Sequence, residues 1–219
     1  MVQKNRKPVR SVKSDAPVEP KRRGRPRAYE PQIAIGKALE LFRKGGFAAT
    51  SLDDLSAATG MNRPSLYGAF GDKRELYIKS YQRYRDDARA AMIDIFREEL
   101  PIRKRLERIY AVALGIYLAG ETPRGCFTVM TAASEAVADP QIRDMVLEGF
   151  SELDKAFANC FRLGREKGEL PGSSDPEVLA QLASATIHTI AIRARAGVPR
   201  KELEAIVKGA IDLMMGAAG

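Results

Sequence analysis

The sequence predicts an all-α protein of about nine helices: a three-helix N-terminal unit of helix-turn-helix type, followed by a larger helical body. Three observations predict it. Apolar residues recur at i, i+3, i+4 and i+7 through most of the chain after residue 33. No segment alternates apolar and polar residues long enough to make a convincing strand. Gly, Pro, Ser and Asn fall between the periodic segments, where helices must start and stop.

The composition bounds what such a chain can be. Its 219 residues suffice for a small domain joined to a larger one, and 45% hydrophobic residues supply a core. No run approaches the roughly 18 apolar residues a membrane span needs. The basic N-terminus lacks the apolar stretch of a signal peptide, so a cytoplasmic protein is expected. Two cysteines, Cys126 and Cys160, are too few for a disulfide framework and fit a reducing compartment. The net charge of +8 is concentrated: residues 1–27 alone carry ten Lys/Arg against two Asp/Glu. Residues 28–85 carry +3 and residues 86–219 carry −3. A polyanion partner is therefore expected for the N-terminal part only.

The elements follow in order. Residues 1–27 hold four prolines, many charges and almost no large apolar side chains, and read as a disordered basic arm ending in "KRRGRPR". Pro31 suits a first helical turn, and Ala34, Ile35, Ala38, Leu41 and Phe42 mark one helix face. "GGF" at 45–47 should stop that helix. Thr50 or Ser51 caps a second, with Asp53 and Asp54 in its first turn and Leu52 and Leu55 inward. Gly60 ends it. Asn62 caps a third, with Pro64 in its first turn. Two short helices joined by a tight Gly turn make the helix-turn-helix pattern.

Long helices come next. They are expected over 73–98, before Pro101, and over 102–119, with Leu106, Ile109, Ala113 and Ile116 inward. A loop, "GETPRG" at 120–125, precedes a short apolar helix from Cys126 to Val137. Asp139 and Pro140 start a helix reaching about Lys167, striped by Val146, Phe150, Leu153, Phe157 and Phe161. After a loop at 168–176, Leu179, Leu182, Ala183, Thr186, Ile187 and Ile190 mark one more helix. Leu203, Ile206, Val207, Ala210, Ile211 and Met214 mark the last. The domains read as 1–27, 28–88 and 89–219.

The short segment "TGMNRPSLYGAF" (59–70) carries the most specific chemistry. The major groove of DNA admits one helix, whose outer face must offer polar or basic groups. Arg63 offers a bidentate fork to guanine, Ser65 a hydroxyl to base or phosphate, and Tyr67 a hydroxyl to phosphate or a ring against sugar or thymine methyl. Leu66 and Phe70 anchor the opposite face.

The stretch "ALELFRKGGFAATSLDDLSAATGMNRPSLYGAFGDKRELY" (38–77) resembles the DNA-binding domain of TetR/AcrR-type transcriptional regulators over roughly 28–88. The resemblance implies a homodimer with a C-terminal ligand pocket, and repression relieved by an inducer. It places DNA contacts on Ser51, Arg63, Pro64, Ser65, Tyr67 and Lys73. Family members often carry bulky or polar residues after the Tyr; here Gly68 and Ala69 follow, which shifts readout toward Arg63 and Ser65. Arg25 and Arg27 suit a minor-groove arm of the kind that can precede such domains.

The C-terminal part offers a possible sensor. Cys126 follows Arg124 and Gly125 at a helix start, a setting that favours thiolate. Some relatives sense oxidants or electrophiles through a cysteine in a similar "GC" setting; the plain alternative is a small buried residue. Cys160 reads as core. Tyr110, Tyr117, Phe127, Met130, Phe150 and Phe157 are candidates for an inducer pocket or for ordinary core. The last two helices, about 176–196 and 200–215, are rich in small residues and suit a two-fold interface. His188 reads as interface or core. The expected function is a sequence-specific DNA-binding regulator, most simply a repressor, released by an unknown small-molecule inducer or by modification of Cys126. A nonspecific DNA-coating protein bound through the arm is the alternative. An isolated His, no metal-ligand spacing, no phosphate-binding Gly loop and no nucleophile–base pair speak against an enzyme, and no cofactor is expected.

Overall fold

The computed structural model describes residues 30–216, so the predicted basic arm, including Arg25 and Arg27, lies outside the described residues. Nine α-helices and one 3-10 turn make up the described residues, with no strand. The order is α1 (Pro31–Ala49), α2 (Leu52–Thr59), α3 (Arg63–Phe70), α4 (Lys73–Arg97), α5 (Ile102–Tyr117), α6 (Phe127–Ala133), α7 (Pro140–Glu166), α8 (Pro176–Arg195) and α9 (Arg200–Met214).

Local signals set most of these ends. Pro31, Pro140 and Pro176 each open a helix, where a missing N–H costs nothing. Asp72, Asp139 and Asp175 cap α4, α7 and α8 with side-chain oxygens on backbone N–H groups. α1 is interrupted at Gly46 (φ 80°, ψ 179°), a conformation open to glycine, so "GGF" acts as predicted and a final turn carries Phe47 to Ala49.

Two helix boundaries depart from the sequence reading. α5 ends at Tyr117 rather than residue 119, because the N–H groups of Arg124 and Gly125 both donate to the Tyr117 carbonyl, at 3.0 and 3.1 Å. The expected helix from Cys126 to Val137 is split. Cys126 is the residue before α6, α6 ends at Ala133, and a 3-10 turn covers Glu135–Val137. Ser134 explains the split: its hydroxyl donates 2.9 Å back to the Met130 carbonyl and its backbone leaves helical geometry (φ −114°, ψ −67°).

α1, α2, α3 and the first turns of α4 enclose one end of the core, with Ala38, Phe42, Leu55, Met61, Leu66, Phe70 and Leu76 buried. α4 runs on into the body, where α5, α7, α8 and α9 pack on one another. Phe127 of α6 joins the two parts. Its ring meets Tyr77, Tyr81 and Tyr84 of α4 edge-on at 5.3, 5.9 and 5.7 Å, and Tyr77 in turn meets Phe42 of α1 at 5.0 Å. Edge-to-face aromatic pairs favour such distances. The Tyr77 hydroxyl closes the joint with a 2.8 Å hydrogen bond to the Thr131 hydroxyl.

Candidate nucleic-acid interface and effector cavity

The helix-turn-helix is built by caps. Ser51 and Asp54 form a capping box at α2: the Asp54 N–H donates to Ser51 Oγ at 3.0 Å, and the Ser51 N–H donates to Asp54 Oδ2 at 2.9 Å. The Ser51 hydroxyl also donates to that carboxylate, and these bonds hold the Asp54 carboxyl below its ordinary range. Gly60 (φ 70°) turns the chain at the end of α2, a left-handed conformation suited to glycine. Asn62 Oδ1 then accepts from the Ser65 N–H at 2.9 Å and starts α3.

α3 is two-faced. Leu66 and Phe70 are buried, whereas Arg63, Pro64, Ser65, Tyr67 and Gly68 are exposed, Tyr67 at 47%. The first turn thus brings Arg63, Pro64 and Ser65 together, with Tyr67 one turn on. Tyr67 and Lys73 border the same small crevice between α3 and the start of α4. Lys73 is held by an aromatic partner: its ammonium stands 4.3 Å from the centre of the Phe47 ring. Arg63 is forked onto Asp53 of α2, with Nε 3.0 Å from Oδ1 and Nη2 2.7 Å from each carboxylate oxygen. That pair holds the Arg63 guanidinium still more firmly charged.

A cavity of about 400 Å³ lies between α4, α5, α7 and α8, beside Cys126 and Thr128 at the start of α6. This is within the size range of small-molecule sites. Of the six sequence candidates it takes in Tyr117 and Phe150. Tyr110, Phe127, Met130 and Phe157 are not in its wall. Phe127 is occupied by the tyrosines of α4, Phe157 packs against Phe96 (5.5 Å), and Tyr110 donates its hydroxyl to the Ala183 carbonyl (3.1 Å). The sequence reading missed Tyr84, Arg85, Met92 and Phe96 of α4, Glu152 of α7 and the lining role of His188. These fall on mixed polar and apolar stretches that periodicity does not single out.

The cavity's polar groups are mostly partnered. Arg85 donates to Glu148 (2.9 Å), Glu152 (2.8 Å) and the Met145 carbonyl (3.1 Å), which fastens α4 to α7. His188 stands 4.8 Å from the Phe150 ring, and burial holds its pKa below the ordinary 6.5, partly opposed by Asp154. Cys126 borders the cavity, and its thiol accepts from the hydroxyl of Tyr84, another lining residue, at 3.5 Å. Burial pushes the Tyr84 and Tyr117 hydroxyls well above their usual pKa of 10, so both remain neutral proton donors. Cys160 is buried away from the cavity, and burial raises its thiol pKa.

The cavity wall touches α1 through arginines. Arg43 of α1 places its guanidinium 5.2 Å from the Tyr84 ring centre and donates to the carbonyls of Ile116 (3.3 Å) and Gly125 (3.5 Å). Glu40 of α1 pairs with Arg124. The cavity and the helix-turn-helix thus share contacts through one helix.

Comparison with known proteins gives the family. The description "Bacterial regulatory proteins, tetR family" matches residues 34–79, and "Tetracyclin repressor-like, C-terminal domain" matches residues 103–210. The chain belongs to the TetR family. Among curated TetR-type proteins it is similar to the transcriptional repressor ComR of Escherichia coli (strain K12), 29% identical over 184 residues, covering 84% of this chain and 88% of ComR. It is also similar to the repressor BdcR of the same organism, 33% identical over 125 residues, covering 57% of this chain and 62% of BdcR. Among solved structures it is similar to a cysteine mutant of the TetR family regulator CifR complexed with 26-bp operator DNA. That likeness has a TM-score of 0.77 and 28% identity, covering 86% of this chain and 98% of CifR. As a TetR-family protein the chain is a sequence-specific DNA-binding transcriptional regulator and not an enzyme. The TetR match at 34–79 contains every DNA-contact candidate from Ser51 to Lys73. The stretch of α4 that walls the cavity falls between the two matched segments.

Proposed function

We propose that this protein is a homodimeric repressor whose two copies of α3 enter successive major grooves of an operator, and which a small apolar inducer releases. The observation that carries the reading is α3 itself: capped by Asn62, anchored by Leu66 and Phe70, and presenting Arg63, Ser65 and Tyr67 outward. Arg63, Ser65 and Tyr67 address bases and phosphates, while Ser51, Pro64 and Lys73 set the helix against the backbone.

The inducer site is the cavity beside Cys126. Its apolar lining suits an uncharged or weakly polar body, with His188, Thr128 and Tyr84 to orient one polar group. Modification of Cys126 is a second route to the same end, because Cys126 borders that cavity. Either route acts only through different affinity for two spacings of the α3 pair. The dimer forms through α8 and α9 (about 176–196 and 200–215). A stripe on α8 supports this: exposed Val178, Leu182, Ala185 and Ile192, with half-buried Thr189 among them, are spaced at four and three residues along one face. The protein acts where its DNA is, in the cytoplasm.

The test is a binding titration on the duplex upstream of the protein's own gene, with excess random competitor. It is run on reduced protein, on protein treated with a thiol-reactive electrophile, and on Cys126→Ser. Competitor-resistant binding lost on treatment and kept by the mutant establishes the cysteine route. Binding indifferent to the electrophile leaves the noncovalent inducer. If binding is competed away both there and on duplexes selected from a random library, the operator reading fails.

A further inference from the structure

Asp53 sits at the second position of α2, yet the cap of that helix is made by its neighbour. Asp54 completes the capping box with Ser51. Asp53 makes no hydrogen bond in that cap, and its side chain is 75% exposed beside Arg63. A carboxylate there is costly on DNA, because it opposes the phosphates that supply most of the sequence-independent affinity. Its bonding shows what it does instead. Asp53 takes Nε and Nη2 of Arg63, the side-on edge of the guanidinium. No bond holds Nη1 among the described residues, so the end-on edge, Nη1 with the outer hydrogen of Nη2, points free. Guanine O6 and N7 accept two parallel N–H groups from such an edge.

We propose that Asp53 is a positioning residue for base readout: it clamps the side-on edge of Arg63 so that the end-on edge is presented to a guanine in the major groove. This rests on α3 being the recognition helix and Arg63 its base reader. Freed from the clamp, a flexible arginine wraps onto any nearby phosphate, which is also a good fork acceptor. The clamp therefore trades affinity for selectivity. It neutralises the cation toward phosphate and fixes its direction toward a base.

The test uses full-length protein and a randomised duplex library. Wild type is taken through selection, and the preferred base at each position is read by sequencing. Arg63→Ala, Asp53→Asn, Asp53→Glu and Arg63→Ala/Asp53→Asn go through the same procedure. Affinities for the wild-type-selected duplex and for a scrambled duplex are measured at two salt concentrations. Arg63→Ala is expected to erase a guanine preference at one position in each half-site, a loss of about tenfold or more in discrimination. Asp53→Asn is expected to weaken the same preference severalfold and leave the others intact, while scrambled-duplex affinity rises and its salt dependence steepens. Asp53→Glu, which keeps the charge, should recover part of the preference. The double variant should lose no more guanine preference than Arg63→Ala alone. An unchanged guanine preference in Asp53→Asn, with Arg63→Ala active in erasing it, overturns the clamp while leaving the reader in place. An unchanged preference in Arg63→Ala overturns the reader and the clamp together. A rise in scrambled-duplex affinity of equal size in the Arg63→Ala background shows that Asp53 acts by its own charge alone, and also overturns the proposal.

Discussion

Arg195, the last residue of α8, donates Nη1 to the carbonyl oxygen of Arg43 in α1 at 3.0 Å. The same nitrogen reaches the Arg124 carbonyl at 3.1 Å, and Nη2 reaches the Lys44 carbonyl at 3.3 Å. The break at Gly46 makes Arg43 and Lys44 part of the last full turn of α1, where carbonyls lack helical donors. One guanidinium thus fastens the end of the first DNA-side helix to the helix that carries the proposed dimer face.

Removing that fastening should loosen α1 against the body. Arg195→Met keeps the aliphatic stem and deletes every donor. Because the side chain is exposed, the expected loss is modest, about 1 kcal/mol. In a chain of this size that is a fall of about 2–4 °C in the thermal midpoint. Hydrogen exchange should quicken at the last turn of α1 and little elsewhere. Arg195→Lys should not restore it, since one ammonium cannot span three carbonyls.

Gly125 is the tightest point of the same junction. Its φ of 64° is left-handed, and a Cβ there would stand 2.7 Å from the Ala191 carbonyl and 3.1 Å from Arg195 Cβ. Gly125→Ala must bear both the backbone strain and the clash, about 3 kcal/mol together. Urea unfolding at fixed protein concentration measures it. Gly36→Ala, with nothing near its Cβ and a helical backbone, is the matched control and should be neutral or slightly stabilising.

Filling the cavity should separate sensing from DNA binding. Ala156 lines the cavity and is only partly buried. In Ala156→Phe the added ring occupies space that is empty, so DNA affinity should stay within about threefold. Uptake of the neutral dye N-phenyl-1-naphthylamine, read as blue-shifted fluorescence, should be strong in wild type and weak in the variant. Equal dye uptake by both proteins would place the uptake elsewhere.

How much of this was legible beforehand depends on the range of the interaction. The capping signals of Ser51, Asn62 and Asp139, the stop at Gly46 and the outward face of α3 are written within four residues of one another, and the sequence reading found them; the Asp72 cap of α4 is equally local and was not singled out. The split at Ser134 was missed because apolar periodicity continues across it, while a single hydroxyl decides the geometry. The cavity was found only at Tyr117 and Phe150. Its wall is assembled from four helices far apart in sequence, and emptiness has no periodic signature. Tyr110, Phe127 and Phe157 are aromatic and inward, as a pocket requires, yet each is occupied by a neighbour that only tertiary packing supplies.

His188 gives the fold a pH dependence of known sign. Burial lowers its pKa from 6.5 in the folded protein, so the unfolded chain binds its proton more readily. Its contribution is therefore constant well above pH 6.5. It is lost as pH falls through 6.5 toward the lower folded value. Asp154, which favours the charged form, narrows the window. His188→Gln, compared with wild type by urea unfolding from pH 8 down to 5, should show a flatter profile over that range. Parallel profiles would mean that other groups carry the acid sensitivity.

The exposed stripe on α8 makes the last prediction. Val178 (51%), Leu182 (46%) and Ile192 (57%) lie on one side of the helix, and Leu213 of α9 is exposed as well. Apolar side chains in such a row lose contact with water only if another surface covers them, at about 25 cal/mol for each Å² buried. In a two-fold dimer each residue near the axis meets its own copy, so a charge placed there faces a like charge. Leu182→Arg should therefore dissociate the protein to monomers in light scattering, with helix content kept. Operator affinity should then fall at least a hundredfold, because two half-sites are no longer held at a fixed spacing. Lys155→Ala, an exposed change on α7 rather than α8, should leave the mass and the operator affinity as they are.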